Sequence, residues 1–504
     1  MEQLNKHEKL MLILIIFFAG IISVSLIGQH RFHGDEALYA SWATSMAKST
    51  SIYVGTPYSL YKPPFFLFAS ALIFAIIPIK EIFAIIPNIL SFLLSIYVVF
   101  LILLNFYKDK YVALTGALIF SLSPVNLLFS ATAFMDPLLV LFLLFSTYYL
   151  INKKYFISGL FFGLAFGTKS FAVFYLPFYL FVILNEIIKK RKTDVKKVIL
   201  ESMGGFFSTY SVAILWGILN SIKYKKHFLF AQMNWLGILD RPESYVFNLS
   251  NFVSRMSEWL YYYKLIYFFK PLCIFFLIVI LLNVIFYRKE QDFILSGTII
   301  ILLLLTSMSQ MPIYDRYILT FIPFVIMLSA SSVCSIFRIN TDKKFAVVFI
   351  VILTLFLAFP VRKGIYKHNI KNLQGENFGA MYNRNDGVDL LTNFILGKYE
   401  TPVGICMHRD FSWVFDYYLY RAPAGYSWFH YQPNDADREA VIKEFARDLR
   451  NTKMKVFLLF YADNDEIDKF EPFISKYDLC AKTEYEIYDR FNKKNIILYR
   501  ILLK

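Results

Sequence analysis

The sequence predicts a polytopic α-helical membrane protein that carries a smaller α/β domain at its C-terminal end. Three observations lead there. Of 504 residues, 57% are hydrophobic and only 18% charged, where soluble globular chains carry about a quarter. The apolar residues run in long blocks parted by short basic clusters. Lipid offers the backbone no hydrogen-bond partner, so such blocks read as helices that satisfy their own peptide groups. After Val361 the chain turns polar and strand-like alternation begins.

Taken in order, the block Leu10–Leu26 follows Lys6 and Lys9, which assigns the N-terminus to the cytoplasm. Ser23-Val24-Ser25 imitates a signal-peptide cleavage site, but with so many spans to follow the block is expected to be a retained first helix. The loop Gln29–Pro64 then lies outside, and the short segment Phe65–Pro78 is expected to lie in the interface or to re-enter. Further blocks fall at Ile82–Phe106 and at about 112–130, 137–151, 155–168, 171–188, 199–219, 265–286, 293–308, 317–336 and 345–360. The expected total is about eleven to thirteen spans.

The basic clusters agree with this path. Asn152-Lys153-Lys154, Lys189–Lys192 with Lys196 and Lys197, Tyr287-Arg288-Lys289, and Arg338 with Lys343-Lys344 all fall inside. The C-terminus is therefore expected outside a plasma membrane. Residues 1–360 form the membrane domain, with outer loops 29–64 and 220–264 as the roof of a site. The second loop carries Trp235, Trp259 and Tyr261–Tyr263, which suits amphipathic helices at headgroup level, and a sequon of little weight at Asn248-Leu249-Ser250.

Residues 361–504 are expected to form a soluble α/β domain on the outer surface. Strands are predicted at Pro402–Cys406, Val456–Tyr461, Glu484–Tyr488 and Asn495–Leu502, and helices at Asp435–Arg450 and Asp465–Lys476.

Net charge and cysteine content exclude other classes. A charge of +15 resembles that of a nucleic-acid binder, but much of it sits in short loops, where it sets orientation and meets anionic headgroups. No nucleic-acid partner is expected. The four cysteines show neither a disulfide framework nor metal spacing; Cys273 and Cys334 fall in apolar helices, and only Cys406 and Cys480, in the polar region, leave room for an oxidised pair.

The functional reading rests on charged residues between apolar blocks, which cost about 2.5–3.5 kcal/mol each at mid-bilayer. The predicted path places Asp35, Glu36 and Lys62 in the first outer loop, Asp136 and Lys169 at outer turns, and Asp315, Arg316 and Tyr317 at a later one. Each alone reads as a solvated hairpin tip. Together, with both signs of charge on one face, they look like a site. In His33-Gly34-Asp35-Glu36, a carboxylate near the membrane surface suits a general base, or else simply complements a helix N-terminus. In Tyr61-Lys62-Pro63-Pro64, a lysine at a helix start opposes the dipole, and a bound anion compensates it; a snorkelling lysine is the plainer reading.

Asp35-Glu36 followed about 26 residues later by Lys62-Pro63-Pro64 resembles the lipid A aminoarabinose transferases and protein O-mannosyltransferases of the GT-C fold. Ala131-Thr132-Ala133-Phe134-Met135-Asp136-Pro137, Phe166-Gly167-Thr168-Lys169 with Leu176-Pro177, and Arg316-Tyr317-Ile318-Leu319 with Pro323 extend the likeness over roughly residues 10–360. The resemblance implies hexosyl or pentosyl transfer, with inversion, from a polyprenyl (undecaprenyl or dolichyl) monophosphate donor to a hydroxyl of a lipid, glycan or protein. On this chain it makes Asp35 the base and gives Lys62, Arg316 and Tyr317 the leaving phosphate. Glu36 and Asp136 position hydroxyls, and Lys169 meets sugar or phosphate. Some relatives carry a carboxylate before Lys-Pro-Pro and a histidine in the middle loop. Here those places hold Tyr61 and Met233-Asn234, with His227 several residues earlier, so neither metal nor cofactor is expected.

A transporter or flippase is the rival reading, since buried charges also mark substrate pathways. Against it, the chain shows no paired halves and its charges gather at one end rather than mid-membrane. A ligand-binding receptor would leave those charges without a role.

Overall fold

The computed structural model describes residues 5–27, 32, 34–49, 60, 62–188, 195–236, 252–267, 270–287, 289–308, 315–337, 352–355, 357–358, 387–400, 402–408, 414, 417–418, 426–431, 434–451, 454–461, 466–488 and 494–504. These form two compact units, one of Met1–Ile27 with Trp42–Asn369, the other of Gly28–Ser41 with Ile370–Lys504. The sequon at Asn248, the cluster Lys189–Lys192, Arg288, Arg338, Lys343-Lys344 and most of the block 345–360 lie outside the described residues.

The first unit is helical. Helix α1, Lys6–Ser25, starts with a capping box in which Asn5 accepts from the Glu8 N–H while the Glu8 carboxylate accepts from the Asn5 N–H. Helix α2 is Gly34–Ser49, and the division between the units falls inside it. The helices α3, Phe65–Ile76, and α4, Glu81–Tyr107, follow. Next come α5, Lys110–Ser121, capped by the Asp109 carboxylate, and α6, Pro124–Ser130. The chain continues through α7, Asp136–Ile151, and α8, Tyr155–Phe166. After a 3₁₀ segment, Ser170–Tyr175, come α9, Leu176–Ile188, and α10, Val195–Lys223. The remainder comprises α11, Phe230–Trp235, α12, Phe252–Tyr267, α13, Lys270–Phe286, and α14, Glu290–Met308. A second 3₁₀ segment, Asp315–Thr320, leads into α15, Ile322–Ile336.

Among the described residues four helices are long and apolar enough to cross a membrane, and a fifth crossing results if α5 and α6 count as one broken span. Six shorter apolar segments of 10–17 residues accompany them. Large apolar side chains on α1, α10 and α13 stand exposed (Phe17, Leu215 and Leu281 among them), as lipid-facing positions should.

Proline accounts for the places where the structure departs from continuous blocks. The block expected at 112–130 is bent by 58° between α5 and α6. Pro124 has no N–H to donate to α5 and holds Ser123 extended at ψ 118°. Pro177 and Pro323 likewise sit in the first turns of α9 and α15, and each block loses its opening residues to a 3₁₀ segment.

Glycine sets the closest helix pair. Gly159, Gly163 and Gly167 recur every fourth residue on α8 and its end. A Cβ on Gly159 would lie 2.0 Å from the Ser202 carbonyl oxygen, and one on Gly205 of α10 would lie 1.9 Å from that of Phe156. Only hydrogen fits there, which lets the backbones of α8 and α10 meet, the means by which helices associate in lipid. The Thr209 hydroxyl then donates to the Leu160 carbonyl at 2.9 Å.

The second unit holds a five-stranded sheet of β1, Val403–His408, β2, Tyr426–Tyr431, β3, Lys455–Tyr461, β4, Leu479–Tyr488, and β5, Lys494–Leu503, in the order β2-β1-β3-β5-β4. The first three are mutually parallel, and β5 runs antiparallel to both β3 and β4. Helices α17, Asp435–Asn451, and α18, Glu466–Lys476, cover one face through Ile442, Phe445, Phe470 and Ile474, packed on Val456, Leu458 and Ile501. Helix α16 is Val388–Lys398. Strands at 403–408, 455–461 and 494–503 and both covering helices match the sequence pattern; β2 and α16 were not anticipated. All four cysteines are free, Cys406 and Cys480 standing on strands separated by β3 and β5.

The glycine contacts make a direct forecast. Gly205→Ala forces backbone apart and lowers the thermal midpoint of the purified chain by several degrees. Gly204→Ala, whose added Cβ would meet only the Phe156 ring at 3.7 Å, leaves the midpoint unchanged or slightly raised.

Candidate active site

In the first unit the chemistry gathers where helices begin and end. Asp136 is the first residue of α7, where unpaired N–H groups and the dipole favour a carboxylate. It is nonetheless buried, and its partner comes from the next hairpin. Lys169, held extended just after α8, places its ammonium 2.6 Å from the Asp136 Oδ1; the side chains are 19% and 2% exposed, lysine first.

The same ammonium lies 4.6 Å from the centre of the Tyr317 ring, in the 3₁₀ segment before α15. Phe171 packs against the same Tyr317 ring at 4.6 Å. Arg316 sets its guanidinium 4.9 Å from the Phe134 ring. A cation over a ring face gains electrostatic energy that grows with desolvation. Asp136, Lys169, Arg316 and Tyr317, four residues singled out in the sequence, thus meet within one cluster.

Two backbone ties hold the cluster in place. Asn88, fully buried on α4, donates both amide hydrogens, to the Thr132 and Phe134 carbonyls at 2.6 Å each. Those carbonyls belong to the irregular turn between α6 and α7, so α4 supplies partners that the helix ends lack. On the other side, Pro63 and Pro64 carry no N–H, so Phe65 has the first one of α3. It donates to the Gly167 carbonyl at 3.1 Å. A Cβ on Gly167 would lie 2.4 Å from the Phe65 ring, so glycine permits this approach. Half-buried Lys62, three residues before Phe65, is thereby carried to the same hairpin as Lys169.

Asp35 and Glu36 occupy the first turn of α2, in the sheet-bearing unit; Asp35 is half-buried and Glu36 buried. Just upstream, the Phe32 N–H donates to the Tyr418 hydroxyl at 3.3 Å, and its ring packs 5.0 Å from Tyr417. His33, Tyr61 and the Asp315 side chain lie outside the described residues.

Sequence reasoning missed Asn88 and Phe134 as supports. A lone Asn next to Pro87 inside an apolar block was the available sign of the first. Phe134 stands beside Asp136 within the quoted motif but offers no charge to notice.

Residues 61–216 match the model of the dolichyl-phosphate-mannose-protein mannosyltransferase family, a stretch that includes Lys62, Asp136 and Lys169. ArnT from Cupriavidus metallidurans, bound to undecaprenyl phosphate, shares the fold with a TM-score of 0.64 at 12% identity, over 96% of this chain and 97% of that one. This chain has the GT-C fold. ArnT in the apo state matches over the same shares at a TM-score of 0.58 and 14% identity. The Archaeoglobus fulgidus oligosaccharyltransferase tethered to an acceptor peptide matches at 0.51 and 10%, over 96% of this chain and 73% of that one. No curated protein matches at the sequence level. This GT-C-fold chain is therefore linked to these proteins by architecture and by the segment 61–216, not by overall sequence.

The buried pair in this GT-C-fold chain sets a stability test. Removing one partner strands a buried charge, at a cost of about 3–5 kcal/mol. Asp136→Ala and Lys169→Ala should each depress the melting midpoint strongly, and the double variant should recover part of the loss.

Proposed function

We propose that the chain is a glycosyltransferase that transfers a sugar from a polyprenyl monophosphate donor to an acceptor hydroxyl on the extracytoplasmic face, with inversion at the anomeric carbon. The observation that carries the reading is the set of cations, Lys169 and Arg316, held around Tyr317 at helix starts, with the Lys62 segment tied to the same hairpin. Its support from outside is the undecaprenyl phosphate bound to ArnT, a protein of the same fold.

In this scheme Asp35 accepts the acceptor's hydroxyl proton as the oxygen attacks the anomeric carbon. The bond from that carbon to the phosphate oxygen breaks, and its electron pair leaves with the phosphate. The leaving group is already a stable anion, so the chain need only stabilise charge, which Lys62, Arg316 and Tyr317 do. Glu36 orients a hydroxyl. Asp136, which sequence reasoning gave a similar role, is engaged by Lys169; it fixes that ammonium, and through it the Tyr317 ring, while Lys169 faces the sugar phosphate. The N-terminus is cytoplasmic and the C-terminal unit extracytoplasmic.

Membranes containing the wild-type chain should transfer radiolabel from a polyprenyl-phosphate sugar. Asp35→Asn should lose about 10²-fold or more, as loss of a general base does. Lys62→Ala and Arg316→Ala should fall by about 10²–10³-fold, as loss of an oxyanion donor does. Full activity in Asp35→Asn would remove the base assignment. Movement of labelled lipid across the bilayer without transfer would favour a flippase instead.

A further inference from the structure

The sheet-bearing unit concentrates positive charge around one buried ring. Tyr399, 5% exposed, follows α16 and packs on Phe457 of β3 at 4.9 Å. Three cations from three elements lie within 6.0 Å of its centre, Lys455 at 5.4 Å, Lys398 at 5.5 Å and Arg500 at 6.0 Å. On β4, Lys482 stands directly opposite Arg500, a like-charged cross-strand pair of the kind that destabilises a sheet.

One carboxylate meets this group. Glu484 receives the Lys398 ammonium at 2.6 Å and the Tyr399 hydroxyl. Burial pushes its carboxyl up, but those two donors outweigh burial and hold it below its ordinary range. Its charge is shared between Lys398, in direct contact, and Arg500 at longer range. Among the described residues, Lys455 and Arg500 have no carboxylate within ion-pair distance. Beside them Phe394 and Tyr485 stack at 4.1 Å and 13°, a flat aromatic surface next to Lys398, whose ammonium is 4.8 Å from the Phe394 ring. Cations in excess of carboxylates at fixed spacing recognise a phosphate, and a flat aromatic surface suits the apolar face of a sugar ring.

We propose that Lys455, Arg500 and Lys482, with the Phe394–Tyr485 stack, form a binding site for a phosphate-bearing sugar or headgroup on the sheet of the C-terminal unit. The cross-strand repulsion is relieved when the anion binds. Binding of this kind weakens as salt screens the cations.

The test uses the purified full chain in neutral detergent and reads binding alone, without any transfer reaction. Mannose 6-phosphate and short-chain dihexanoyl phosphatidylglycerol are titrated by calorimetry, with mannose and dihexanoyl phosphatidylcholine as uncharged or zwitterionic controls. The wild type should bind at least one phosphate probe saturably, and which one it binds separates a sugar phosphate from a lipid headgroup as source. Lys455→Gln/Arg500→Gln should bind at least tenfold more weakly, and the exposed single variant Lys482→Gln severalfold more weakly. Lys443→Gln/Arg447→Gln, on α17, should match the wild type. Absence of saturable binding by both phosphate probes overturns the proposal, as does equal binding by wild type, Lys455→Gln/Arg500→Gln and Lys482→Gln.

Discussion

A carboxylate and an ammonium taken out of water must satisfy each other, and in this protein that requirement falls on Asp136 and Lys169. The pair joins the start of α7 to the segment after α8. Because the ammonium also faces Tyr317, the pair fixes where the 3₁₀ segment before α15 settles. Three stretches far apart in sequence are thereby committed to one arrangement. Neither partner can move without stranding the other's charge, so the cluster is rigid before any substrate arrives. A site that stabilises a departing phosphate gains from such rigidity, since no reorganisation is needed as charge develops.

The same end of the helices is where proline interrupts the apolar blocks. Pro124, Pro137, Pro177 and Pro323 each stand in the first turn of a helix, and Pro63 and Pro64 precede α3. Proline there leaves short irregular stretches whose carbonyls need donors. Asn88 supplies two of them and the Phe65 N–H a third. Irregular backbone at membrane depth is tolerated only where protein or a cavity surrounds it, which is consistent with a site built from these breaks rather than from continuous spans.

Charge made the cluster legible from sequence. Asp136, Lys169 and Arg316 stand between apolar blocks, where an ionisable residue is costly enough to need a reason. Asn88 was invisible by the same criterion, being neutral and single, and only the carbonyls it meets reveal its work. The breaks at Ser123 and before Leu176 were hidden because hydropathy averages over a block and does not register the loss of one N–H. In the C-terminal unit, the alternation in β3 and β5 and the amphipathic pattern of α17 and α18 carried their identities. The strand Tyr426–Tyr431 did not, since Tyr-Ser-Trp-Phe-His-Tyr has no clean apolar and polar alternation.

The central claim is that this end of the helical unit holds the phosphate of a polyprenyl donor. Its most direct test is the equilibrium affinity of the purified chain for a polyprenyl monophosphate, comparing wild type with Arg316→Gln and Lys62→Gln under conditions where all three melt alike. The account predicts at least tenfold weaker binding in each variant. Equal affinity in all three would contradict it.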